Sequence, residues 1–454
     1  MIQRVLVVSG DVLPLPGYPT SGAGLRAWGL GQGLKAHGFE VTYAMPAVAW
    51  RPDISLPPLD HELLLWQPEP DQMQRMIRRA NPEAVLFCHW PSMVIRDRLD
   101  VPTVIDFHGP HLLERAFQKE GEVNSNALAK IRALLMADYF ICAGERQKAY
   151  FLAWLLASGI DVTEPCIDAV PVCLSPELPA RLPPADPITL VYGGVYLPWQ
   201  DPTLGLTVAA EVLARRKKGI LLILGGRHPT YPIAVPAIFQ KLEKELKSHP
   251  HVRYLGMRPH RELIEIYRGA TAAMDLMAHN YERELAFTTR TVEYMWCGLP
   301  VIYNDYAELS PLISRYRAGW TLDPADRAGI EQVLTEILDH PETAHERGRN
   351  ARRLVAECLT WDKAVRPLVA FLHNPRVSQS RTADLPSYVA EELGIRNFWE
   401  RRYSFSWRRL KPMLRTARLL YQQRGLKHLA QQTLIFFKRE FYGFGRRAKW
   451  RETE

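Results

Sequence analysis

Short apolar runs recur along most of this chain, separated by stretches with helical spacing. Arg4 to Val8, Val41 to Ala44, Ala84 to Cys88, Thr103 to Phe107 and Tyr139 to Cys142 are nearly continuous apolar segments. Runs of that length without alternation predict strands buried on both faces, as in a parallel sheet. Helical patterns lie between them, notably Leu25 to Leu34 and Leu112 to Ala137. A Pro-rich stretch, Pro171 to Pro187, interrupts this rhythm and reads as a linker. The rhythm then resumes. Strands are predicted at Thr189 to Tyr192, Ile220 to Leu224, Val252 to Leu255, Ala272 to Leu276 and from Val301. Helices are predicted at Thr203 to Lys217, Glu262 to Gly269, Ile330 to Leu338, Ala344 to Leu359 and Trp361 to Leu372. The alternation predicts two α/β halves in series, each a parallel sheet with helices on both faces. Two such Rossmann-like domains facing each other enclose a cleft. The expected division is 1–180, 181–373, a polar linker 374–395 and a tail 396–454.

The tail has a different pattern. Met413, Leu414, Ala417, Leu420 and Tyr421 form one apolar stripe, with Lys411, Arg415 and Arg418 opposite, and Leu426 to Tyr442 repeats the scheme. Aromatic residues are dense there, including Trp399, Phe405, Trp407 and Trp450. Residues 396–454 hold sixteen Lys/Arg against four Asp/Glu, a balance of +12, whereas the whole chain carries only +8. The body is therefore slightly acidic, which argues against a nucleic-acid binder. A basic amphipathic tail with aromatic anchors suits an anionic membrane surface. The alternatives are packing against the acidic body or a partner, or contact with nucleic acid.

Composition narrows the setting. The chain has 454 residues, too many for one ordinary core. Its six cysteines are scattered without a C-x-x-C pair, which argues against a zinc site and fits a reducing compartment. The first ten residues hold too short an apolar run for a signal peptide, and no stretch approaches the ~18 apolar residues of a membrane span. The expected location is cytoplasmic, peripheral on the inner face of the membrane.

The stretch Tyr281 to Asn304 carries the most chemistry. It reads as loop, helix, stop and buried strand. Thr288 and Thr289 stand where a helix starts, Gly298 supplies a left-handed exit and Pro300 forbids continuation. Glu282, Arg283 and Glu284 precede the helix, and Arg290 and Glu293 lie within it. A helix N-terminus attracts anions through its free N–H groups and dipole. An arginine beside it adds charge, and a carboxylate one turn further can accept two hydroxyls. The segment can hold a sugar nucleotide, with phosphates at the helix start and ribose on Glu293. The alternative is that Arg290 and Glu293 form a surface ion pair at i, i+3 spacing.

Other candidates sit at strand ends. Ser21-Gly-Ala-Gly24 opens the first helix, and Gly22 and Gly24 stand where a strand-to-helix turn needs them. Gly193 and Gly194 end one strand of the second half, and Gly225, Gly226 and Arg227 end another. His108 and His111 follow the strand ending at Phe107; no further metal ligands accompany them, and a histidine donating to a phosphate or sugar is the expected role. The glycine spacing does not match a dinucleotide fingerprint, because the glycines do not follow the strand directly.

These residues resemble glycosyltransferases of the GT-B fold, in the broad group called family 4, from Met1 to about Leu372. The most specific part is Leu255-Gly256, Tyr267 and Glu284 to Ile302 with Cys297-Gly-Leu-Pro-Val301. The segments Gly10 to Leu30, Val104 to Glu114, Ala137 to Gln147 and Tyr192 to Pro202 resemble a bacterial subgroup associated with surface polysaccharide and lipopolysaccharide synthesis. The resemblance implies transfer of a sugar from a nucleotide diphosphate sugar, with retention at the anomeric carbon and without a metal or other cofactor. It implies a ribose-binding role for Glu293, the second Glu of the family's paired-Glu signature. The first Glu of that pair would fall eight positions earlier, where this chain has Leu285, and Glu284 lies one place off. It implies that His108 sits near the transferred sugar and that Gly22 and Gly24 line a phosphate or acceptor loop. The family's diphosphate-binding bases have no counterpart in Gly194 to Asp201, so Arg290, with Arg227 or Arg283, is expected to neutralise the phosphates.

The expected activity is a retaining hexosyl transfer to a lipid-linked or oligosaccharide acceptor, with His108, Glu284 and Arg290 at the reacting centre. Departure of the diphosphate places preorganised donors at a premium. Two other readings share this shape: a nucleotide-sugar epimerase, and a non-catalytic scaffold docked at the membrane.

Overall fold

A computed structural model describes residues 2–54, 62–118, 123–183, 186–228, 230–231 and 233–376. The predicted linker beyond 376 and the basic tail 396–454 lie outside the described residues.

The first sheet contains β1 (Arg4–Ser9), β2 (Glu40–Pro46), β3 (Leu63–Trp66), β4 (Ala84–Cys88), β5 (Thr103–Phe107), β6 (Tyr139–Cys142) and β7 (Ile167–Ala169). The second contains β8 (Thr189–Val195), β9 (Ile220–Gly226), β10 (Val252–Tyr254), β11 (Ala272–Asp275), β12 (Val301–Asn304) and β13 (Gly319–Leu322). The spatial orders are β3-β2-β1-β4-β5-β6-β7 and β10-β9-β8-β11-β12-β13. Every pairing in both sheets is parallel. The unbroken apolar runs follow from this: Val5, Leu6, Val7 and Val8 are each at most 2% exposed, because helices cover both faces.

On one face of the first sheet lies the helix Gly22–Ala36. Its glycines allow a tight fit. A Cβ at Gly29 would fall 2.6 Å from Cys173 O, and one at Gly31 would fall 2.3 Å from the Tyr43 hydroxyl. The opposite face packs on Pro70–Ala80, Val123–Leu135 and Glu145–Ala157. The second sheet is covered by Thr203–Arg216, Ala237–Lys247 and Arg327–Asp339 on one side. His260–Gly269, Thr289–Trp296, Ser310–Tyr316 and Pro341–Cys358 cover the other.

Three features differ from expectation. The strands β3, β7 and β13, at sheet edges, were not anticipated; each has four residues or fewer. Within Leu112 to Ala137 the described residues form the helices His111–Gln118 and Val123–Leu135. The last helix, Arg366–His373, was assigned to the second half, yet its apolar stripe belongs to the first core. Leu368 and Leu372 pack there beside Leu34, and Phe371 stacks on Tyr139 with ring centroids 4.2 Å apart. The chain thus crosses back, and the division at 373 is not a clean boundary.

Candidate functional site

In a doubly wound sheet, ligands lie beyond the carboxyl ends of the strands where the strand order reverses. That point is β1/β4 in the first sheet and β8/β11 in the second. The helix Gly22–Ala36 begins beside the first, and the helix Thr289–Trp296 beside the second. The two N-termini meet across the cleft: a Cβ at Gly22 would stand 3.0 Å from Thr289 Oγ1. Ser21 caps the first helix, its Oγ accepting from Gly24 N at 3.3 Å. Thr288 holds the capping position of the second, but its hydroxyl is engaged with the Tyr303 hydroxyl at 2.7 Å, so no side chain caps that helix. Opposed helix starts concentrate N–H groups and positive dipole ends, an arrangement suited to a diphosphate.

Arg290 does not form the i, i+3 pair with Glu293. It turns under the glycine turn that ends β8, donating from Nη1 to Gly193 O at 2.7 Å and from Nη2 to the Gln200 side chain. Its Nε lies 3.9 Å from Asp275 Oδ1. A Cβ at Gly194 would fall 2.7 Å from Arg290 Cζ, and the φ of +115° also favours glycine there. Burial opposes the Arg290 charge, but Asp275 and Tyr192 offset this and hold it protonated. Asp275 also accepts from the Thr291 hydroxyl, and the Tyr294 hydroxyl accepts from Gly193 N at 2.8 Å. Arg290 is thereby a fixed positive centre beneath the turn rather than a mobile phosphate clamp.

Glu293 is 7% exposed and accepts from His260 Nε2 at 2.6 Å. His260 starts its own helix, and its backbone N–H reaches Tyr18 O of the first domain at 3.3 Å. The remaining carboxylate capacity of Glu293 suits a diol. His260 had not been singled out in the sequence; its only signal is its place after Pro259 at a helix start.

The three acidic and basic residues ahead of this helix separate. Glu284 is half-buried and lies 3.5 Å from His279. Glu282 and Arg283 are buried, and Arg283 grips Glu282 bidentately at 2.5 and 2.7 Å. Arg227 is exposed beyond β9. The following residue, His228, links the domains. Its Nδ1 accepts from Thr230 N and Tyr231 N, so Nε2 carries the proton toward Asp11 Oδ2 at 3.1 Å. Tyr231 donates to Gly10 O at 2.7 Å.

On the first-domain side, His108 follows β5 and His89 follows β4, with His89 in a left-handed conformation, φ 110°. Burial lowers the basicity of both rings, and each has a buried Nδ1 with no partner. A non-glycine residue at positive φ with an unspent donor or acceptor is a hint of a binding role. Beneath them Arg26 and Asp106 form a buried bidentate pair, both bonds 2.7 Å. His111 approaches Glu114 at 3.3 Å. Among the described residues no three His, Cys, Asp or Glu side chains are grouped to hold a metal ion.

The structure therefore brings Gly22 against Thr289 where the two domains meet and Gly194 onto Arg290, with Thr288 and Glu293 on the same helix as Thr289 and Arg290. Gly24 instead packs against Val12 and Thr20 inside the first domain, and His108 follows β5 there. Residues 176–354 match the family described as Glycosyl transferases group 1. That span contains the whole second sheet and every second-domain residue named above. A D-inositol 3-phosphate glycosyltransferase of Corynebacterium efficiens is 28% identical over 162 residues, 36% of this chain and 37% of the relative. The aligned region thus spans little more than a third of that relative. Among solved structures, sucrose-phosphate synthase from Thermosynechococcus elongatus superposes with a TM-score of 0.65 at 18% identity, covering 82% of this chain and 98% of that one. Anabaena HepE in complex with UDP-glucose gives 0.58 at 12% identity, covering 82% and 99%. The two-domain GT-B architecture is shared with these proteins.

Proposed function

We propose that this protein is a retaining glycosyltransferase that moves a sugar from a nucleotide diphosphate sugar to a saccharide acceptor. The observation that carries this reading is the meeting of two helix N-termini across the cleft, with buried Glu293 one turn into the second. The diphosphate rests on the two helix starts, with Arg290 as a fixed charge beneath the Gly193–Gly194 turn. Glu293, held by His260, takes the ribose hydroxyls. As the diphosphate leaves, negative charge grows where these N–H groups already point, which lowers the barrier without reorganisation. His108 faces the transferred sugar with an unspent ring nitrogen.

The match to group 1 glycosyl transferases and the UDP-glucose bound in HepE support the donor class. The acceptor is proposed to be lipid-linked, in bacterial surface polysaccharide or lipopolysaccharide synthesis. The basic tail 396–454 holds the enzyme on the anionic inner face of the cytoplasmic membrane. Among the described residues no helix is long and apolar enough to cross a membrane. The donor reading is tested by thermal shift against nucleoside diphosphates and their sugars at low ionic strength. Saturation about 100-fold above Kd adds about 2.7 kcal/mol, a readily seen shift. No shift with any of them refutes the reading. Deleting residues 396–454 is expected to abolish co-sedimentation with anionic liposomes; retained binding refutes the membrane role.

A further inference from the structure

The position that the resemblance reserves for a first carboxylate holds Leu285, and its carbonyl is used instead to accept from Gln147 Nε2 of the first domain at 2.9 Å. Glu284, the neighbour in sequence, is half-buried beside His279. In the short helix Tyr281–Leu285, Glu282 is the enclosed acid, at 2% exposure, with Arg283 at 6%. Both are fixed. Asn280 Oδ1 accepts from Glu282 N and Arg283 N at 3.1 and 3.0 Å, and Asn280 Nδ2 is anchored on Trp199 O at 2.9 Å. The short helix Tyr281–Leu285 packs against the first-domain helix His111–Gln118, so the pair sits where the two domains meet. Arg283 spends Nε and Nη2 on Glu282, leaving Nη1 without a protein partner among the described residues. Glu114 lies across from it, close enough for each to feel the other's charge, and the His108 ring carries its own unspent nitrogen.

A buried, paired charge with a free donor edge is costly to keep unless something uses it. Polyhydroxyl ligands do: each hydroxyl both donates and accepts, matching a carboxylate edge beside a guanidinium. We propose that the Glu282–Arg283 pair is the hexose-recognition group of the donor site, standing in for the carboxylate missing at position 285, and that it selects an uncharged hexose over a uronate. The selectivity follows from charge. Three carboxylates, Glu282, Glu114 and Asp275, surround two guanidiniums, Arg283 and Arg290, so a sugar carboxylate meets net repulsion. This inference rests on the glycosyl-transfer reading above.

The test is calorimetric titration of the full chain with UDP, UDP-glucose and UDP-glucuronate; if GDP is the nucleotide bound, GDP-mannose and GDP-mannuronate replace the sugars. The native protein is expected to bind the neutral sugar nucleotide about tenfold or more tighter than the uronate. Glu282→Gln leaves Arg283 uncompensated and is expected to remove or invert that preference. Because breaking one side of a buried pair endangers folding, the double variant Glu282→Gln, Arg283→Met removes both charges. It is expected to lose the added affinity of the hexose, so that UDP and UDP-glucose bind it alike. Equal affinity of the native protein for the hexose and uronate forms, or an unchanged preference in a folded variant, overturns the inference alone. Failure of the native protein to bind any of UDP, GDP, ADP, CDP and dTDP overturns the glycosyl-transfer reading and this inference with it.

Discussion

Lys130 offers a quantitative test of how the first domain is held together. Its ammonium is enclosed by four rings, with Nζ 4.2 Å from the Trp154 centroid, 4.8 Å from Phe151, 5.3 Å from Tyr150 and 5.5 Å from Phe107. Its exposure is 1%, and no ion pair reaches it among the described residues. Burial pushes its pKa from the ordinary 10.5 down to about 6. A base depressed on folding contributes stability that is fully present above the unfolded value and lost as pH falls toward the folded one. At pH 7 the unfolded chain holds a proton that the folded chain resists, a cost of about 5 kcal/mol. With that pKa the folded side chain is largely neutral at pH 7, so cation–π attraction offsets little of this cost. Lys130→Met, which fills similar volume without charge, is expected to stabilise the domain by about 5 kcal/mol at pH 7. That corresponds to roughly 10–20 °C in apparent Tm for a domain of this size. The gain is expected to shrink by about 1.4 kcal/mol per pH unit and to vanish only near the unfolded value, about pH 10.5. Scanning calorimetry of both proteins from pH 7 to pH 9.5 measures it. A variant less stable than the native protein, or a difference independent of pH, refutes the reasoning: the rings would then hold a charged lysine at a net gain.

Other consequences follow from the pairings at the site. Arg26→Met leaves Asp106 buried and unpaired and is expected to destabilise the first domain by about 3–5 kcal/mol, whereas Arg26→Met with Asp106→Leu recovers most of that in urea unfolding. His260→Ala frees Glu293 from its 2.6 Å partner and is expected to weaken nucleoside diphosphate binding about tenfold, with little change in inorganic pyrophosphate binding, when each is titrated calorimetrically. Gly194→Ala drives a Cβ into Arg290 at a positive φ and is expected to lower Tm and nucleotide affinity together; an unperturbed variant would show that the turn yields.

Much of this architecture was legible in the chain. Ala84 to Cys88, Thr103 to Phe107 and Tyr139 to Cys142 were readable to the residue, because strands buried on both faces write themselves as continuous apolar runs. The edge strands β3, β7 and β13 were not, since they are short and one side lacks a neighbour to impose the pattern. At the site, Gly22, Thr289 and Glu293 were legible as local signals of turn, cap and helix face. What these side chains touch was not. Arg290 reaches Gly193, Glu293 reaches His260 and Arg26 reaches Asp106 only after distant strands are brought side by side. The choice among Glu282, Glu284 and Leu285 was equally closed, because burial of a five-residue helix depends on the domain opposite.

The central claim is that a nucleoside diphosphate bridges the two helix starts and lays its ribose on Glu293. Its most direct test is calorimetric titration of UDP and GDP into the native protein and Glu293→Ala. The account predicts saturable one-to-one binding of one of them to the native protein and about a tenfold loss in the variant, with Tm otherwise preserved. Equal affinity in the two proteins, or no binding to the native protein, would contradict it.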